Sequence, residues 1–166
     1  MRKALREFEP DLAKQTTKEI AAFLKPLARD ARGYLPSNAE VPSGWLQRPN
    51  SKSTWATKRF YDAAIARRGI TYKTSPSKAN RSGFRALASI FNKSAGGSIY
   101  ETAGRKSGIT GKFTPRLGGQ LKGDKQKMTG RAIFRAFEED QGKATAGVVK
   151  AITSSAARFN AKVGKR

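Results

Sequence analysis

The chain has 166 residues with neither cysteine nor histidine, and its 34 Lys and Arg stand against 12 Asp and Glu for a net charge of +22. Disulfides and thiolate metal sites are thereby excluded, and the commonest general base and metal ligand is missing. A charge of this size calls for a polyanionic partner, either nucleic acid or an acidic protein surface.

Residues 3–32 read as an amphipathic helix. Leu5, Phe8, Leu12, Ile20, Phe23, Leu24, Leu27 and Ala31 recur at helical spacing, with Lys14, Lys18, Lys25 and Arg29 on the wet side. Pro10 suits a first helical turn, with Glu9 and Asp11 placed well for the helix dipole. Pro26 is expected to kink the helix or end it early. Residues 34–53 hold three of the seven prolines and little periodicity, so they read as an ordered excursion pinned by Trp45 and Leu46. A second helix is predicted over 54–68, capped by Ser53 or Thr54, with Trp55, Phe60, Ala64 and Ile65 as its apolar face. Gly69 closes it.

Ile70-Thr71-Tyr72-Lys73-Thr74 alternates as a half-buried strand should, and 84–92 reads as a strand buried on both faces. The two are expected to pair. Ser98 is placed to cap a short helix, Ile99 to Ala103, that stops at Gly104. Glu101 and Asp124 are the only acids between Ala63 and Phe137. Glu101 has two readings: a local ion pair with Arg105, four residues on, or an inter-subunit contact. The stretch 105–129 is a basic, Gly-rich loop around isolated Ile109, Phe113 and Leu117, too polar to order itself. Residues 130–161 are helical in pattern, with a bend at Gly142.

Together these elements give one domain of α+β class, a small antiparallel sheet flanked by N-terminal and C-terminal helices. No apolar run approaches the length of a transmembrane helix, and the N-terminus lacks the apolar region of a signal peptide. Catalysis is not expected. Gly104-Arg105-Lys106-Ser107 fails as a phosphate loop because Lys does not follow Gly directly and position 99 is Ile. Glu138-Glu139-Asp140 reads as a solvated helix edge, and no cofactor or metal is called for.

Three runs carry a resemblance. Arg68-Gly69-Ile70 enters a strand; Ile90-Phe91-Asn92-Lys93-Ser94 leads to Ile99-Tyr100-Glu101-Thr102-Ala103-Gly104-Arg105; Arg131-Ala132-Ile133-Phe134-Arg135-Ala136-Phe137-Glu138 precedes a final helix. In this succession the chain resembles the neck or tail-completion proteins that join head to tail in long-tailed bacteriophages of actinobacteria. The resemblance covers residues 2–160. It implies a homo-oligomeric ring, six-fold by expectation, at the virion's head-tail junction, assembled in the host cytoplasm. Its neighbours would be portal-side connector and tail-tube proteins, with packaged duplex DNA in the lumen and no membrane.

On that footing Tyr100, Glu101, Arg105, Lys106, Lys112, Phe113 and Leu117 are candidates for inter-subunit or partner contact. Arg116, Lys122, Lys125 and Lys127 are candidates for charge-mediated contact with a neighbouring ring or DNA. Replacing Phe113 and Leu117 with Ser is expected to block assembly and leave subunit folding nearly unchanged. The rival class is a free nucleic-acid-binding protein of ribosomal or nucleoid type. Against it, there is no zinc-finger spacing, no basic heptad region and no aromatic-rich strand motif.

Overall fold

The computed structural model of the chain describes residues 10–46, 60–104, 114–117, 121–124 and 128–163. The chain is α+β. In order come α1 (Pro10–Gly33), α2 (Ala63–Gly69), β1 (Ile70–Lys73), β2 (Ser89–Asn92), α3 (Ala95–Thr102), β3 (Lys122–Asp124), β4 (Met128–Gly130), α4 (Ile133–Glu139) and α5 (Lys143–Val163). β1 pairs with β2, and β3 pairs antiparallel with β4 in the register Lys122–Gly130, Gly123–Thr129 and Asp124–Met128. Contacts gather the chain into two compact units. One comprises Met1–Pro26, Tyr72–Ser89 and Gly142–Arg166, the other Leu27–Thr71 and Ile90–Gln141.

In the first unit the apolar stripes of α1 and α5 supply the core. Leu12, Ile20 and Leu24 are buried from α1, and Ala144, Val148 and Ala151 from α5. The small residues of α5 permit close approach. A Cβ on Gly147 would lie 2.3 Å from the ring of Phe23. Thr16 and Ser155 are both buried, and their hydroxyls lie 2.5 Å apart. Each also reaches the carbonyl four residues back, Leu12 and Ala151. A polar pair thus sits inside an apolar stripe without an unmet hydroxyl. Arg158 and Glu19 pair at 3.4 Å at the rim.

Pro26 does not end α1. Losing one backbone bond and crowding the preceding turn costs about 3 kcal/mol, and the flanking Leu24, Leu27, Ala28 and Ala31 are all buried, which offsets that cost. The predicted start at residue 3 lies outside the described residues.

The strand predicted over 84–92 begins only at Ser89. The preceding stretch closes on itself instead. Ser77 N–H donates to the Ala86 carbonyl, Asn80 N–H donates to the Phe84 carbonyl, and the Asn80 side chain accepts from the N–H groups of Ser82 and Phe84. Backbone groups satisfied locally are not offered to a ladder.

In the second unit the excursion after α1 forms two short 3-10 turns, Asn38–Glu40 and Ser43–Trp45. Trp45 is buried and its ring lies 4.9 Å from that of Tyr61. Tyr61 N–H donates to the Trp45 carbonyl, and the Tyr61 hydroxyl donates to the Pro36 carbonyl. Residues 47–53 lie outside the described residues, as do 54–59 of the second predicted helix. Of the described part of that span, Ala63–Gly69 is helical. Phe60 and Tyr61 are not helical, and Asp62 is the cap, its carboxylate accepting from Ile65 N–H at 2.8 Å. The predicted break at Gly142 is present: Gln141 and Gly142 both take positive φ between α4 and α5.

Candidate functional site

The three runs of the resemblance meet in the second unit. Asn92, the last residue of β2, is wedged between two glycines that cannot carry a side chain. A Cβ on Gly69 would lie 2.2 Å from its Oδ1, and one on Gly97 would lie 2.2 Å from its Nδ2. Its amide nitrogen donates to the Ala66 carbonyl in the last turns of α2, and its Oδ1 accepts from the Ser94 N–H and hydroxyl. Ser94, not the expected Ser98, caps α3 by accepting from Gly97 N–H. Ser98 turns back to donate to the Asn92 carbonyl. One amide therefore ties the end of α2 to the start of α3.

The far end of α3 is tied to α4 in the same way, with charged groups. Glu101 is only 6% exposed. Its Oε2 accepts from the N–H groups of Ala132 (2.8 Å) and Ile133 (3.1 Å), and its Oε1 accepts from Phe134 N–H (3.0 Å). These are three of the four N–H groups that a helix start leaves without an internal partner. Ala132, at the N-cap of α4, has no side chain able to serve them. Glu101 supplies from α3 both the missing acceptor and the negative charge that the positive end of the helix dipole favours.

Arg131 returns the contact. It is 5% exposed, and its Nη1 donates to the carbonyls of Tyr100 (2.9 Å) and Ala103 (2.6 Å) at the closing turn of α3. Its guanidinium lies 5.7 Å from the Tyr100 ring centroid. Burial lowers its pKa, opposed by the nearby Tyr100 and Glu101. Burial likewise raises the Tyr100 hydroxyl. The α3 acid caps the start of α4, and the α4-side base caps the end of α3. Gly130 makes room for this clasp: a Cβ there would lie 1.8 Å from Glu101 Oε1.

A second contact lies on the α4 surface. The Tyr34 hydroxyl donates to Glu139, which also pairs with Arg135 at 2.9 Å, and the Arg135 guanidinium stacks 4.2 Å from the Tyr34 ring centroid. The hydrogen bond to Glu139 raises the pKa of Tyr34. Among the described residues no group of three or more Asp, Glu, Cys or His side chains gathers to hold a metal ion. Also among the described residues, no helix is long and apolar enough to cross a membrane.

Of the sequence-predicted contact residues, Tyr100 and Glu101 are buried and used within the chain. Glu101 serves backbone N–H groups rather than projecting from the surface. Arg105, Lys106, Lys112, Phe113, Lys125 and Lys127 lie outside the described residues. Arg116 is exposed in a 3-10 turn, Thr114–Leu117, and Lys122 opens β3. The stretch read as one basic loop thus contains a turn and a strand pair.

Leu117 is 1% exposed, a core residue of this chain and not a surface anchor. Leu117→Ser is therefore expected to cost the isolated subunit about 2–5 kcal/mol, the usual range for truncating a buried Leu. The measurement is the urea midpoint, and a midpoint unchanged from wild type would return Leu117 to the surface. Arg131, Asn92 and Gly130 were missed in the sequence as site residues. The available signal was a Gly-Arg pair directly before an apolar helix that lacks a capping side chain of its own.

Comparison of the chain with protein-family models, with curated proteins and with solved structures returns no match.

Proposed function

We propose that the chain is a structural subunit of the neck of a long-tailed bacteriophage, forming a ring that joins the portal-side connector to the tail and completes the tail end. The observation that carries the reading is the use made of the three resembling runs. Gly69, Asn92, Glu101 and Arg131, one or two from each run, are spent on welding α2, α3 and α4 to one another. A pattern kept for internal joints suits a subunit that must transmit load without deforming. It leaves the net +22 for partners outside the clasp. The role needs no cofactor and no catalytic group.

The test is a particle reconstruction with the neck resolved. Copies of this chain arranged with rotational symmetry at the head-tail junction are expected. Single unsymmetrised copies, or absence from the particle combined with tight salt-sensitive binding of the monomer to duplex DNA, would replace this reading with the nucleic-acid-binding one.

A further inference from the structure

The segment between β1 and β2 is exposed and bonded to itself. All eleven residues from Ser75 to Arg85 are exposed, yet the segment is not loose. Six hydrogen bonds donated by the backbone N–H groups of Ser77, Asn80, Ser82, Gly83, Phe84 and Ala86 stay within residues 77–86, and Gly83 takes the positive φ that its turn requires. On this preformed hairpin Phe84 is 67% exposed and Leu87, just beyond it, is 47% exposed. Lys78, Arg81 and Arg85 accompany them, and no acid occurs between Ala63 and Tyr100. An aromatic and two arginines on an exposed, internally hydrogen-bonded turn are the composition of an interface hot spot, and local bonding of the backbone lowers the ordering cost of docking.

The chain itself carries a surface of matching chemistry, in which Glu139 is engaged by Tyr34 and Arg135 and Glu138 is the exposed acid beside Phe137. Glu138-Glu139-Asp140 is the one run of three consecutive acids in a strongly basic sequence. It ends α4, where Phe137 is half-exposed and Glu138 is exposed. Aromatic and anionic here answer aromatic and cationic on the hairpin. A subunit with net +22 repels its own copies unless its few acids are placed where the copies meet.

We infer that the 77–87 hairpin of one copy docks on the Phe137-Glu138 end of α4 in the next copy, a head-to-tail contact between two different patches. Such contacts generate rings when the rotation closes and filaments when it does not. The inference rests on the ring reading above for its biological setting, and the two separate experimentally.

The absence of cysteine makes the test clean. Full-length Ser82→Cys and Gln141→Cys variants, which keep Phe84 and Phe137 in place, are purified separately, mixed, and treated with a short bismaleimide, so that only contacts between copies are captured. The same samples are imaged by negative-stain electron microscopy. A cross-linked dimer in the mixture but in neither variant alone, reduced at least tenfold by Arg81→Glu with Arg85→Glu and restored when the partner carries Glu138→Arg, is the expected result. Rings without this cross-link would overturn the docking inference and leave the ring reading standing. The cross-link in open filaments alone would support the docking and count against the ring. No cross-link and no assembly would overturn the docking as well. Loss of duplex DNA binding by Arg81→Glu with Arg85→Glu, with self-association unchanged, would make the hairpin a nucleic-acid arm and also overturn it.

Discussion

Glu101→Ala is expected to destabilise the second unit by about 3 kcal/mol, a large share of the roughly 5–15 kcal/mol that holds a domain of this kind together. The substitution leaves the N–H groups of Ala132, Ile133 and Phe134 without their acceptor. It also strips the negative charge from beside Arg131, which stays buried. Hydrogen bonds to a charged group are each worth about 1.5–3 kcal/mol, but three that share one carboxylate do not add fully. Part of the loss is recoverable from water, since Ile133 and Phe134 are only partly buried. Glu101→Gln separates charge from shape. Its amide oxygen can serve one side of the helix start, while its NH₂ group faces an N–H donor on the other, so an intermediate loss of about 1–2 kcal/mol is expected. Urea unfolding followed by circular dichroism and tryptophan fluorescence measures both variants. A Glu101→Ala midpoint within error of wild type would mean that the clasp contributes nothing to stability.

Sequence reasoning reached the helices more easily than the joints between them. Leu12, Ile20, Leu24, Leu27 and Ala31 were legible because burial in a helix imposes a period that any reader can count. The chain break at Gly142 was legible because glycine tolerates positive φ. Glu101 stood out as an isolated acid, but the sequence offered only the partner within reach on its own helix. Its real partners are backbone N–H groups some thirty residues on, and these have no one-letter signature. Arg131 was hidden for the opposite reason: in a chain with 34 cations, one more carries no information until its burial is known. Phe84 misled through its alternation with Arg85, which fits a strand. Asn80 and Ser77 outcompeted the ladder by bonding the local backbone first.

The surface charge sets up the other large effect. Reversing Lys122, Lys125 and Lys127 to Glu is expected to lower head-to-tail joining severely, and high salt is expected to weaken joining in the wild type. In the proposed ring, six copies would carry 6 × 22 = 132 net positive charges. Duplex DNA offers one phosphate per ~1.7 Å of axis, so a ring on the order of 40 Å tall encloses only about 25 of them. Packaged DNA therefore neutralises a minor share, and a lumen lined with all the charge would grip DNA that has to pass through it. On the proposed ring reading, most of the Lys and Arg are therefore expected to face acidic neighbouring rings or solvent. Lys122 opens β3, and the three lysines lie within six residues of sequence, where a local reversal changes the charge by six per subunit. The measurement is the ratio of joined particles to free heads and tails by electron microscopy, with circular dichroism confirming that the variant folds. Joining at the wild-type ratio, together with lost binding to naked duplex DNA, would move these lysines to the lumen. A fall in joining that excess salt reproduces in the wild type would place them against a neighbouring acidic ring.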